Sequence, residues 1–289
     1  MTIHISDDYY LGITAIITLI YQLIIFLIAF TLQTETVTDF GGGSNVALLA
    51  ILTIIFSQSN HTRQIIATLF QIVWGLRLGL FCLYRMLKTG HGDSRFDELR
   101  QNFSKLLVFF ILQMIWIWTI SLPVTFLNSP KINGGLDQNF GSVTDVLGVI
   151  LFIFGFLIES IADLQKFIFR TRRTSSKEFM KTGLWAWSRH PNYFDNIALV
   201  SILSPLFTIL ILLFLSGMPL NERPAHLKQY KAGNWVEYSQ HLSRTSCLIP
   251  FPPSLYEPLP QFIKSTLFLE FPIYRFNPDS DINNAEGNI

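Results

Sequence analysis

Long apolar runs recur along this chain, and they constrain its fold more than any other feature. A helix needs about 20 mostly apolar residues to cross a hydrocarbon core ~30 Å thick. Tyr9 to Leu32, Ile65 to Leu87, Phe103 to Leu127 and Val143 to Ile161 meet or approach that length; Asn45 to Phe56 is shorter, and Ile197 to Met218 is apolar again. The pattern predicts an all-α, polytopic transmembrane helical bundle of about 6–7 helices. The first run follows Asp7 and Asp8 instead of a basic front end and is too long for a cleaved leader, so it is expected to stay in the mature protein. Breaks are expected at Gly41-Gly42-Gly43, Ser57 to Arg63, Gly90 to Arg100 and Asn128 to Gly141.

Composition agrees with a membrane and excludes other classes. Half of the 289 residues are hydrophobic, only 14% are charged, and the mean hydropathy is +0.39. Too few charges remain to cover a water-facing surface of that size, which excludes a soluble globular enzyme. The net charge of +1 provides no field that would recruit nucleic acid. Cys82 and Cys247 stand alone and form neither a metal-ligand nor a disulfide pattern.

Lysine and arginine set the expected orientation. Lys166, Arg170, Arg172, Arg173, Lys177, Lys181 and Arg189 follow the fifth run and place that connector in the cytosol; alternation then puts Arg85, Lys88, Arg95 and Arg100 there too. A single span over Ile197 to Met218 would send Arg223, Lys228, Lys231 and Arg244 to the far side. Ser204-Pro205 in mid-run favours a short hairpin over one proline-kinked span. His226 to Leu242 is expected along the membrane interface, and Asn277 to Ile289 reads as a disordered end. The domain division expected is a single bundle over 1–260, with cofactor-binding loops at 163–194 and 219–253, followed by a C-terminal tail over 261–289.

Chemistry concentrates between Glu159 and Phe194. Glu159 and Asp163 share a face of a continuing helix, with Lys166 and Arg170 following on it, so a charged stripe leaves the membrane. Ionisable groups at membrane depth are expensive and tend to face an interior cavity, which points to function for Asp163 and Arg170. Next comes Gly183-Leu-Trp185-Ala-Trp187-Ser-Arg189-His190-Pro191-Asn192-Tyr193. Trp185 and Trp187 alone would read as an interfacial aromatic belt. Together, these residues form a basic, aromatic mouth suited to a dinucleotide: arginine pairs phosphates, rings stack on bases, and asparagine reads an amide edge. No GxGxxG follows a strand, so the cofactor would not sit on a Rossmann domain. The connector and the closing third of the chain are expected to meet around the nucleotide.

TGLWAWSRHPNYFDN, FLSGMPL and EYSQHLSRTSCLIPFPP resemble the uncharacterised membrane family (domain of unknown function 1295) grouped with the steroid 5-alpha-reductase C-terminal domain, with a weaker likeness through WGLRLGLFCLYRMLKTG. The resemblance implies an NADPH-dependent reduction of an activated carbon–carbon double bond of a lipid, in a helical bundle open to the membrane, with the endoplasmic reticulum as the expected location. It assigns cofactor binding to Asp163, Arg170 and Asn192, the last standing before Tyr193 and Phe194, and the role of proton donor to Tyr84. Trp187, Arg189, His190 and Tyr193 complete the expected cofactor set. Glu159 and Asn196 stand where the reductases carry asparagine and glutamate, and only Glu35 is left as a counterpart of their substrate-binding glutamate.

Arg189-His190-Pro191 followed by Tyr193 is also similar to the RHPxY of isoprenylcysteine carboxyl methyltransferases, which implies S-adenosylmethionine as the alternative cofactor, with Glu222 or Glu237 near the methyl acceptor. A third reading is a non-catalytic lipid-binding protein. The partners expected are the lipid bilayer and a lipid small-molecule substrate.

Overall fold

The computed structural model describes residues 7–34, 36–58, 61–89, 101–133, 140–175, 177–193, 218–274 and 276. Among these there is no strand, only one isolated bridge between Ser188 and Ser246. Five helices are long and apolar enough to cross a membrane, and the chain is an integral membrane protein. They are α1 (Leu11–Leu32), α2 (Thr36–Ser57), α3 (Thr62–Thr89), α4 (Phe103–Asn128) and α5 (Val143–Arg172). The shortest, at 22 residues, reaches about 33 Å. After α5 come α6 (Met218–Lys231), α7 (Trp235–Arg244) and α8 (Gln261–Leu267), with a four-residue helix, Pro253–Tyr256, between the last two. The expected hairpin over 197–218 lies outside the described residues apart from Met218, as do Glu35, Asn196 and 277–289.

The chain forms two compact units, and α5 begins in the first and continues in the second. In the first, α2 packs against α1, α3 and α4, and α1 also packs against α4. Here one expectation is corrected: Gly41-Gly42-Gly43 do not break the chain but lie inside α2, which is a full-length helix. A Cβ on Gly43 would sit 2.3 Å from the Gly75 carbonyl oxygen and 2.7 Å from the Gly79 nitrogen. The glycines therefore let the backbones of α2 and α3 touch, as small residues four apart do in membrane bundles. Phe26 meets Phe103 and Phe110 edge to face on the α1–α4 side.

Polar side chains also join these helices. Asn128 Nδ2 donates to the hydroxyls of Thr53 and Thr68, and Gln113 Nε2 donates to Gln22 Oε1 and to the Thr38 carbonyl. At the end of the bundle where α3 and α5 start, Arg63 grips Asp145 through two hydrogen bonds of 2.7 and 2.9 Å.

The second unit holds the rest of α5 and the described residues after it. The stripe expected on a continuing helix is present, because α5 runs on to Arg172 and carries Glu159, Asp163, Lys166 and Arg170. The stretch from His226 to Leu242 spans two helices, α6 and α7. Ala232-Gly233-Asn234 divide it, Gly233 at φ +71°, and both His226 and Tyr238 are buried. In this unit Met218, Cys247, Leu248 and Tyr274 form one buried cluster.

Candidate functional site

Gly183 begins the site by turning the connector back onto α5. Its φ of +63° favours glycine, and a Cβ there would lie 2.6 Å from the Gln165 side-chain amide. The short 3₁₀ turn Gly183–Ala186 is then fastened to α5. Gln165 Oε1 accepts from the Leu184 amide at 3.1 Å, the Trp185 indole donates to the Ala162 carbonyl at 3.0 Å, and Lys166 Nζ lies 4.6 Å from the centre of the Trp185 ring. Trp185 is thus a buried anchor of the connector, whereas Trp187 is exposed.

Beyond the turn, the connector runs beside the chain that leaves α7. The amides of Arg189 and His190 donate to the carbonyls of Ser246 and Cys247, the Phe251 amide donates to the Trp187 carbonyl, and the Ser188 hydroxyl donates to the Leu248 carbonyl. The connector and the chain that follows α7 therefore pair backbone to backbone in this unit. The pairing fixes the backbone on both sides of Arg189 and His190 and aims both side chains inward.

Glu222, on α6, receives them. Its Oε2 accepts from Arg189 Nη1 at 2.7 Å, and its Oε1 lies 2.7 Å from His190 Nε2. One helical turn on, His226 brings Nε2 to 3.5 Å from the same carboxylate. Arg189 Nη2 also stands 3.4 Å from Glu270 Oε1. All the members of this cluster are buried except Glu270, which is 15% exposed.

The charge states follow from these contacts. Burial alone would raise the Glu222 carboxyl, but the Arg189 guanidinium, helped by the hydrogen bond from His190 and the approach of His226, holds it well below the usual carboxylate range. For His190 burial dominates and lowers the imidazole, against the pull of Glu222. The neutral ring therefore donates from Nε2 to the ionised carboxylate. Arg189 stays charged: its burial penalty is outweighed by Glu222. Tyr238, pushed up by burial, packs its ring 5.7 Å from that of His226 as a neutral phenol.

Several polar atoms around this cluster are buried without a hydrogen bond: Nε and Nη2 of Arg189, both ring nitrogens of His226, Oδ1 of Asn192 and Oε1 of Gln229. An unmet buried donor or acceptor costs about 1–3 kcal/mol. Donors and acceptors are both left over. Among the described residues, no group of His, Cys, Asp or Glu is arranged to hold a metal ion.

The other expected residues are distributed as follows. Asp163 is half-buried and Arg170 exposed, both on α5. Asn192 stands in the short turn Pro191–Tyr193; only the backbone of Tyr193 is described. Tyr84 lies on α3 in the first unit, 53% exposed. Glu237 is exposed and paired with Lys181. Glu222 touches both Arg189 and His190. His226 and Gln229 were not singled out in the sequence, although both stand on the Glu222 side of α6, four and seven residues along.

Next to the cluster, Phe179, Lys181, Ala186, His241, Arg244 and Thr245 line an open groove of about 280 Å³. Burial, together with Arg189 and Lys181, lowers the His241 imidazole to about 4. No curated protein and no solved structure matches the chain. The family model described as "Protein of unknown function (DUF1295)" matches residues 25–242, from within α1 to within α7, and so takes in Arg189, His190, Glu222 and His226: the chain belongs to that family.

Proposed function

We propose that the protein is a membrane-embedded, NADPH-dependent reductase of a carbon–carbon double bond in a lipid of sterol or polyprenoid type, acting in the endoplasmic reticulum membrane. The observation that carries this reading is the set of unmet buried polar atoms on Arg189, His226, Asn192 and Gln229 around Glu222. A nicotinamide dinucleotide offers phosphate oxygens to the first two residues and carboxamide and adenine N–H groups to the last two. Lys166 and Arg170, on the α5 stripe, add cations suited to its several phosphate charges.

NADPH, when bound, supplies the hydride. The protein's residues would do the rest. Arg189, Lys166 and Arg170 hold phosphate; Asp163 holds ribose hydroxyls or an amide; Asn192 orients the carboxamide; the ring of Trp187 or Tyr193 stacks on a base. His190 and Glu222 keep Arg189 in place. Tyr84 donates a proton to the substrate carbonyl oxygen, where charge builds as the hydride arrives.

A second reading, S-adenosylmethionine-dependent methyl transfer, is favoured by one contact. Glu222 touches His190 of the RHPxY stretch at 2.7 Å, which sets a carboxylate near the methyl acceptor, beside the residues that would surround that cofactor. Thermal unfolding of the purified protein in detergent separates the readings. A rise in Tm with NADPH and none with S-adenosylmethionine supports the reductase; the reverse result replaces it with the methyltransferase. No response to either cofactor leaves a non-catalytic lipid-binding protein.

A further inference from the structure

The stretch from Pro253 to Tyr274 has two contrasting faces. Tyr256, Lys264, Phe268 and Tyr274 are buried. Tyr256 meets Phe268 edge to face, its hydroxyl donates to Glu270, and Lys264 donates to the carbonyls of Ser243 and Glu257 while lying 4.5 Å from the centre of the Tyr256 ring. Between these inward anchors the chain turns Leu255, Phe262, Leu267 and Ile273 outward, Phe262 at 77% and Leu267 at 65% exposure. Lys264, on α8, is spent inward. Large exposed apolar groups in one short segment call for a cover.

We propose that this outer face docks onto the surface of the bilayer that α5 crosses, with Phe262 and Leu267 buried among headgroups and upper acyl chains. The occupant follows from continuity. In the same unit, α5 presents Leu151, Phe154, Leu157, Ile161, Leu164 and Ile168 outward, as a lipid-facing helix does, so the bilayer is already this unit's solvent. Aromatic and aliphatic side chains on a short surface element are what an interfacial segment offers. Docking has a consequence for the buried cluster: Glu270 stands 3.4 Å from Arg189, so the segment that touches lipid is one that also holds the Arg189 side chain. The cluster is thereby kept beside the surface from which a lipid would enter.

The test uses the full chain in nanodiscs of phosphatidylcholine and phosphatidylserine. Both native cysteines are buried, so an environment-sensitive thiol probe reports on introduced cysteines. Phe262→Cys and Leu267→Cys are compared with Glu178→Cys, at an exposed polar position of the connector. Docking predicts quenching of the first two by nitroxide-labelled lipid, with aqueous iodide at least ~3-fold less effective than at residue 178. Iodide quenching equal to that at residue 178 overturns the proposal. Protection from both iodide and nitroxide lipid also overturns it, because a protein surface would then be the cover.

Discussion

Arg189 Nη1 meets Glu222 Oε2 at 2.7 Å, and the two side chains are only 7% and 3% exposed. Removing one partner of so deep a pair strands a buried charge, which costs about 3–5 kcal/mol, whereas replacing both by apolar groups of similar volume is often neutral. Glu222→Ala is expected to destabilise the detergent-solubilised protein by about that amount. The double change Arg189→Met, Glu222→Leu is expected to recover part of it, and no more, because His190 loses its acceptor as well. Denaturant unfolding followed through tryptophan emission measures both, since Trp185 and Trp235 lie in the same unit. A cost for Glu222→Ala below 1 kcal/mol, the range of exposed pairs, would show that the contact does not organise the unit.

Acid should loosen this unit in two stages. Burial lowers the imidazoles of His190 and His241, the latter from 6.5 to about 4, so the folded state holds fewer protons there than the unfolded state. Their contribution is complete above pH 6.5 and drains away as pH falls toward 4. Glu222, held well below its ordinary 4.5, adds a second loss that begins only near and below that value. Tm measured against pH should be level above neutrality and fall between about 6.5 and 4, and His241→Gln should flatten part of that fall. A steeper fall in the variant would mean that His241 is not buried as a neutral ring.

The division between what could be read in the sequence and what could not follows physical lines. Four of the five membrane helices were legible as long apolar runs and α2 only through its shorter apolar part, Asn45 to Phe56, and the charged stripe of α5 was legible because helical spacing is fixed. Gly41-Gly42-Gly43 misled because three glycines weaken a helix in water, while inside a bundle the missing Cβ permits the contact with Gly75 and Gly79. Arg189 and His190 stood out by composition. Their partner Glu222 stood among several acidic residues, and only the folding of α6 against the connector singles it out. His226 and Gln229 carried a faint signal, their helical register with Glu222. The apolar outer face of Pro253 to Tyr274 carried none, since its residues alternate between buried and exposed without a helical or strand period.

If the reductase reading holds, binding and turnover should separate by residue. Arg170→Ala is expected to weaken NADPH at least ~10-fold by removing a charge-assisted phosphate contact. Tyr84→Phe should leave NADPH affinity unchanged and lower turnover by roughly 10²–10⁴-fold, the usual contribution of a positioned proton donor. Cofactor titration by intrinsic fluorescence and single-turnover oxidation of NADPH distinguish the two. An unchanged affinity in Arg170→Ala would remove that residue from the site, and unaltered turnover in Tyr84→Phe would remove the phenol from the chemistry.

The α2–α3 contact offers a graded test of the membrane unit. A Cβ on Gly43 would meet backbone atoms at 2.3 and 2.7 Å, and one on Gly75 would meet the Gly43 carbonyl oxygen at 2.6 Å; neither backbone can step aside without separating the helices. At Gly79 the nearest atom is the Phe40 carbonyl oxygen at 3.3 Å, and at Gly148 nothing lies within 4 Å. Alanine is therefore expected to cost most at Gly43, almost as much at Gly75, less at Gly79 and nothing at Gly148, with roughly 1–3 kcal/mol for the first two. Gly148→Ala should even gain slightly, because alanine is the better helix former by roughly 0.5–1 kcal/mol. Thermal aggregation in detergent, measured for all four variants, reads the order directly. Equal losses at Gly43 and Gly148 would mean that α2 and α3 do not cross at their glycines.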